Sequence, residues 1–299
     1  MNVLPFDKQV AVIAALVDGC SIRTTERLTG VHRDTIMRLG ARVGHGCAIL
    51  HDNMMRDLNV SRLELDEIWS FVGKKQARVQ TKRESKTKGD QYTFIGMADT
   101  SKAIVSYVTG KRDHANTRRF IRDLRARVLG APEISTDGFR PYPGIIEDVF
   151  GDDCRYGVMV KNYASPGEVE ASRRYAPAEV VSVTKTHVIG RSTRISTSYV
   201  ERQNLSLRTS QRRFTRLALG YSKKLDNHRA AVSLYVTHFN LCRVHMALRT
   251  TPGMALGVSD HVWTVAELVE AALAVTAPPE EPQGRQVGPF RVIEGGRTD

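Results

Sequence analysis

The stretch that most constrains this chain is Arg62 to Phe71, RLELDEIWSF, where Asp66 and Glu67 interrupt an otherwise strand-like run. Leu63, Leu65, Ile68, Trp69, Phe71 and Val72 supply the apolar and aromatic content of a core strand, and Gly73-Lys74-Lys75 ends it. A carboxylate inside a buried strand is costly unless something binds it. A divalent cation is one such partner, because Mg²⁺ takes oxygen ligands from one or two carboxylates and keeps its other positions for water and phosphate. Asp66 is therefore the first candidate metal ligand. The competing reading is that the acids mark the solvated face of a half-buried strand.

The balance of charge narrows the class of partner. Forty-four Lys and Arg stand against 32 Asp and Glu, a net charge of +12, which suits a polyanion. No apolar run reaches the length of a membrane span, and MNVLPFDKQV lacks the basic-then-apolar order of a signal peptide. Nucleic acid is thus expected ahead of a membrane surface, with a cytoplasmic, nucleoid-associated location. Cys20, Cys47, Cys154 and Cys242 are scattered without CxxC spacing, as expected of reduced thiols.

At the N-terminus, Val10, Ile13, Ala14 and Val17 recur at helical spacing between Asp7 and Gly19. Ser21 opens a second short helix, Thr29-Gly30-Val31 forms a turn, and a third helix is expected over Arg33 to Val43. Its basic and polar face carries Arg33, Thr35, Arg38 and Arg42. Three short helices with a glycine in the second turn fit a helix-turn-helix, whose last helix enters the major groove. An ordinary helical hairpin packed on the body is the alternative. Residues 1 to 58 carry 7 basic and 6 acidic side chains, so this region would read sequence more than supply bulk affinity.

Residues 74 to 90 hold seven basic and two acidic residues and read as an exposed loop, including Lys74 and Lys75, able to lie along a phosphate backbone. Tyr92 to Ala98 and Ala103 to Thr109 read as antiparallel strands, and Asn116 to Val128 as a helix. Pro132 to Thr136 is a short strand running into Asp137-Gly138, an acid at a strand's carboxyl end, where open α/β sheets bind ligands. A turn aspartate is the plainer reading of Asp137. Tyr142 to Phe150 is a helix and Arg155 to Lys161 a strand; the irregular stretch beyond contains a strand-like Val180 to Ile189. Tyr199 opens a helix on which Glu201 and Arg208, seven apart, share a face. Residues 199 to 249 carry 10 basic and 2 acidic residues, with Arg202, Arg212 and Arg213 among them. Leu225 to Leu248 is expected as one long helix with His228 and His245 toward solvent. A last helix covers Ala266 to Val275, and Ala277 onward reads as a tail.

Three blocks in this order, Leu65-Asp66-Glu67-Ile68-Trp69-Ser70-Phe71-Val72-Gly73, Ser135-Thr136-Asp137-Gly138-Phe139 and Val200-Glu201-Arg202-Gln203-Asn204-Leu205-Ser206-Leu207-Arg208-Thr209, resemble those of the insertion sequence one family of DDE transposases. The resemblance covers about residues 60 to 250 and implies an α/β fold: a ribonuclease H-like mixed sheet flanked by helices, behind an N-terminal all-α helix-turn-helix. It implies three regions: 1–58 for DNA binding, 59–250 for catalysis, and 251–299 as a C-terminal helix and tail. By the same resemblance Asp66, Asp137 and Glu201 are the catalytic triad and the ligands of two Mg²⁺ ions, for which Mn²⁺ can substitute. Arg208 would contact the DNA end. Double-stranded DNA, as transposon end and as target, is the implied partner of a homodimer or larger assembly. The N-terminal cysteine zinc finger common in the family is absent from these residues. Two other readings remain at this stage: a helix-turn-helix regulator on a non-catalytic scaffold of the same fold, and a structure-selective nuclease that cuts without joining.

Overall fold

The structure, a computed structural model, describes residues 4–163, 180–215 and 218–276. Its centre is a six-stranded mixed sheet of β1 (Arg62–Val72), β2 (Gly89–Ala98), β3 (Ile104–Gly110), β4 (Glu133–Thr136), β5 (Arg155–Tyr163) and β6 (Val180–Ile189). The spatial order is β3-β2-β1-β4-β5-β6. β1 to β3 form an antiparallel meander, β1, β4 and β5 run parallel, and β6 returns antiparallel along β5. The parallel register pairs Leu65 with Thr136. One further step along the backbone from each brings Asp66, midway along β1, beside Asp137, just past the carboxyl end of β4.

Helices cover both faces. On one, Leu63 and Leu65 of β1 and Phe94 of β2 pack on Phe120, Ile121 and Leu124 of α4 (His114–Arg125) and Ile145 and Ile146 of α5 (Tyr142–Phe150). On the other, Ile68, Ile95 and Ile104 meet α6 (Ser198–Ser210) through Val200 and Leu207, and α7 (Leu225–Leu241) through Val232, Val236 and Phe239. The alternation of β1 thus serves two cores, as expected of a strand buried on both faces.

The N-terminal helices are α1 (Phe6–Val17), α2 (Ile22–Thr29) and α3 (Arg33–Met54). Ser21 caps α2 by accepting from the Thr24 N–H, and Gly30, at φ 69°, ends it in the left-handed region. The third helix is twice the expected length. Gly44 and Gly46, just past Val43, let α3 lie against two neighbours. A Cβ at Gly44 would stand 2.2 Å from the Ala230 carbonyl oxygen of α7, and one at Gly46 2.0 Å from that of Ala272 in α8 (Val265–Ala274). Ile13, Val17, Val43, Cys47 and Leu50 share a core there with Leu234, Leu268 and Val269. Thr237 donates to the Cys47 carbonyl and Arg127 to the Met55 carbonyl, so the end of α3 is tied to the body by hydrogen bonds as well.

Other boundaries move for local reasons. α4 stops at Arg125, and Val128 joins a two-residue parallel pairing of Leu58–Asn59 with Val128–Leu129. α7 ends at Leu241 instead of Leu248, because His245 turns back to bridge Thr250. The solvent-side placement of His228 is overturned. α7 is sandwiched between sheet and α3, so His228 is fully buried between Ser70 and Ser222, and burial lowers its pKa to about 3. His245 is likewise partly buried. The basic loop 74–90 contains two helical turns, Gln76–Arg78 and Lys82–Ser85. The tail from Ala277 lies outside the described residues. Among the described residues no helix is long and apolar enough to cross a membrane.

The close approach of α3 and α7 is testable. Gly44→Ala forces a methyl into backbone atoms with no space to relax, and overpacking of this kind costs about 2 kcal/mol or more. Thermal melting should place the variant several degrees below wild type, and an unchanged melting temperature would show that α3 does not sit this close.

Candidate active site

Asp66, Asp137 and Glu201, 71 and 64 residues apart in sequence, line one cleft together with Arg112, Phe139, Arg140 and Lys161. Its volume is about 620 Å³. Each acid is brought there by a different element. Asp66 projects from β1 toward α6, where Asn204 Nδ2 donates to its Oδ2 at 2.8 Å, and its Oδ1 accepts from the Glu67 N–H. Asp137 follows the last residue of β4, its Oδ1 accepting from the Phe139 N–H at 3.0 Å, an Asx turn that holds the carboxylate at the sheet edge. Glu201 lies in the first turn of α6, where Thr197 Oγ1 donates to it at 2.7 Å.

What aims α6 at the sheet is a residue that sequence reading passed over. Glu64, two positions before Asp66 and on the same face, is buried at 3% exposure. Its Oε2 accepts from the backbone N–H groups of Tyr199 and Val200, at 2.7 and 3.1 Å. Thr197, at the N-cap, makes no side-chain cap of its own, so a strand carboxylate satisfies the orphan donors of this helix. Burial raises the Glu64 pKa, and the two N–H groups pull it back. The usable signal was spacing: a second acid at i−2 in a core strand needs a partner as much as the first.

The electrostatics of the acids are uneven. Burial, then the charges of Glu67 and Asp137, push the Asp66 pKa up to about 7. Glu67 points to the opposite face, its pKa also raised by burial and by Asp137. There it accepts from Arg112 Nε at 2.5 Å and from the Tyr142 hydroxyl at 3.0 Å. The Arg112 guanidinium sits 4.0 Å from the Phe139 ring centroid, with Nη2 3.9 Å from Asp137. Arg112 is thus a counter-charge shared by Glu67 and Asp137. Glu201 is held otherwise: Lys161 Nζ on β5 donates to both of its carboxylate oxygens, at 2.6 and 2.5 Å.

The donor set suits a hard divalent cation in part. Asp66 and Asp137 present carboxylate oxygens side by side, and beside them the buried Asn204 Oδ1 has no hydrogen-bond partner. Among the described residues, no three His, Cys, Asp or Glu side chains converge closely enough to hold one ion. Glu201 is paired with a cation of the chain's own, Lys161. Asp66 and Asp137 fit as ligands as they stand, while Glu201 is engaged by Lys161.

The residues proposed for phosphate contact divide. Arg33, Arg38 and Arg42 are exposed along the first half of α3, with Thr35 half-buried among them. Lys75, Arg202 and Arg212 are exposed; Lys74 pairs with Glu84 at 2.7 Å. Arg208 lies on the wall of a groove that runs on from Asp66 and Asp137. Arg213 is turned inward, donating to Ser222 Oγ at 3.0 Å, and burial lowers its pKa to about 10.

No protein-family model matches this chain, and no curated protein matches it. Among solved structures it is similar to the piggyBac transposase in a cryo-EM synaptic complex with hairpin DNA. That likeness has 9% identity and a TM-score of 0.44 over 91% of this chain and 70% of that one. Similarity at that level assigns neither family nor activity.

The raised Asp66 pKa has a definite consequence for stability. The folded chain holds this proton longer than the unfolded one, so stability falls as pH rises from the ordinary carboxylate range to about 7, and levels off above. In metal-free buffer the melting temperature of wild type should drop between pH 5 and 8 more than that of Asp66→Asn. At pH 8 the variant should melt higher by about 3 °C, and parallel pH profiles would contradict the burial of a strained charge at this position.

Proposed function

We propose that the protein is a DNA transposase of the DDE type, which binds the ends of an insertion sequence and catalyses metal-dependent strand cleavage and strand transfer. The observation that carries the reading is that Asp66, Asp137 and Glu201, far apart in sequence, line a single cleft. The strand order gives support, since the first strand of the sheet carries Asp66, the fourth leads into Asp137 and a later helix brings Glu201, as the sequence resemblance implies for a ribonuclease H-like core. The net charge of +12 suits the DNA partner.

In this reading residues 59–250 carry catalysis, 1–58 present Arg33, Arg38 and Arg42 to the major groove, and 251–299 complete the chain. Asp66 and Asp137, joined by Glu201, would hold two Mg²⁺ ions or Mn²⁺, which supply charge stabilisation at the attacking and leaving oxygens of an in-line displacement. The chain's own residues prepare that step. Asn204 and the Glu67 N–H fix the Asp66 carboxylate in one orientation. Arg112 offsets the repulsion between Glu67 and Asp137. Lys161, released from Glu201, is a cation placed to meet a phosphate oxygen. Lys75, Arg202, Arg208 and Arg212 hold the backbone on either side. Two ends must be joined in one event, so the working form is a homodimer or larger assembly.

Asp66→Asn, Asp137→Asn and Glu201→Gln should each lower Mg²⁺-dependent cleavage of DNA carrying the element's terminal repeats by at least ~10³-fold, as loss of several kcal/mol of charge stabilisation requires. End binding, measured by gel shift, should stay within a few-fold. Three variants that still cleave would remove the enzyme reading and leave a DNA-binding regulator. Arg208→Ala should reduce the slope of log affinity against log salt by about one phosphate contact; an unaltered slope places the DNA elsewhere.

A further inference from the structure

The cleft of acids opens into a second, larger groove whose chemistry differs from it. Past Asp66 and Glu67, β1 continues as Trp69 and Phe71, two positions apart and so on one face. Trp69 is paired across to Tyr92 of β2, and Tyr221 stacks on Phe71 with centroids 4.6 Å apart. Trp69 and Phe71 themselves lie 5.8 Å apart. These four rings are only partly buried and face a groove of about 1260 Å³ that begins at Asp66, Glu67 and Asp137. Its walls are cationic: Lys74, Lys75, Arg78, Arg112 and Arg208. Leu219, at its lip, is 93% exposed.

An aromatic row left partly open, with Lys223 Nζ 3.7 Å from the Tyr221 centroid and further cations on its rim, is poor design for a core and poor design for a duplex. In paired DNA the base faces are already stacked on one another, so rings gain nothing from it beyond what the cations gain from its phosphates. An unpaired strand offers free base faces and the same phosphates, the combination that single-strand sites use. We propose that this groove binds a few unpaired nucleotides of a DNA strand, their bases stacked on Trp69, Phe71 and Tyr221 and their phosphates against Lys75, Arg78 and Arg208, so that the strand leads to the three acids. From Asp66 to Phe71 the strand rises about 17 Å, a span of a few nucleotides. The proposal rests on the transposase reading for its direction, since it makes local opening of the DNA end part of substrate recognition.

The test separates bases from phosphates. Fluorescence anisotropy of the full chain in EDTA compares a short oligothymidylate with an abasic strand of equal length and charge. The oligothymidylate should bind at least tenfold tighter, and Phe71→Ala with Tyr221→Ala should erase that margin while leaving the abasic strand's affinity within twofold. To guard against a fold defect in the double variant, Trp263→Phe leaves Trp69 as the sole tryptophan. Its emission should be quenched by oligothymidylate and not by the abasic strand. Equal affinity for the two strands, or equal quenching, overturns the stacking site. Cleavage in Mg²⁺ is measured beside it on duplexes with paired and frayed ends. Cleavage without base-dependent binding defeats this proposal alone. Base-dependent binding with no cleavage upholds the groove and defeats the enzyme reading.

Discussion

The geometry of the site depends on a carboxylate that does no chemistry. Glu64 is buried in β1 and takes two N–H groups from the start of α6, so the helix carrying Glu201 is anchored to the strand carrying Asp66. Asn204 makes a second tie one turn further on, to Asp66 itself. The two contacts fix both the distance and the rotation of α6, because one grips its end and the other its face. Without the first, the Tyr199 and Val200 N–H groups at the start of the helix would be left unsatisfied against a dry sheet, which is expensive. Site and fold are thus coupled at one residue.

Around that anchor the charges are arranged in pairs that compete with the function they are read to serve. Asp66 and Glu67 sit on opposite faces of one strand, and both feel Asp137. Arg112 relieves one side of this crowding, and the other side, at Asp66, is left short of positive charge. Glu201 would add to the deficit, but Lys161 neutralises it first. A cation entering between Asp66 and Asp137 gains the unrelieved part directly. To reach Glu201 it would have to displace the Lys161 pair.

Much of this was legible in the chain, and the parts that were not share a cause. The strand at Arg62–Val72, the Asp137 edge and the helix over Glu201 follow from local pattern: alternating apolar residues, an Asp-Gly after a short strand, and helical spacing. The helix α3 runs on past Val43 through Gly44 and Gly46, glycines that weaken a helix in isolation but are required here for contact with Ala230 and Ala272, which no local window reveals. His228 was misplaced for the same reason. A helix covered on both sides has no polar face, and its layers are a property of the assembled fold. Lys161, Arg112 and Glu64 were missed because each acts through a partner 40 or more residues away, at Glu201, Glu67 and the start of α6.

The aromatic row sharpens that distinction. Trp69 and Phe71 belong to the same alternation that identified β1 as a core strand, and by composition nothing separates them from Leu63 and Leu65. What separates them is coverage: Leu63 and Leu65 lie beneath α4 and α5, while the aromatic half of the strand is partly open, under lysine and arginine. Hydrophobicity in a strand states that something will be covered, and the topology decides whether by the protein or by a partner. On this one face of β1 the acids mark the changeover, with packed core before them and an open groove after, while Ile68 and Val72 on the other face stay buried. A single strand therefore contributes to two cores, to the cleft of acids and to the aromatic wall of the groove, which is why its sequence constrains the molecule more than any other stretch.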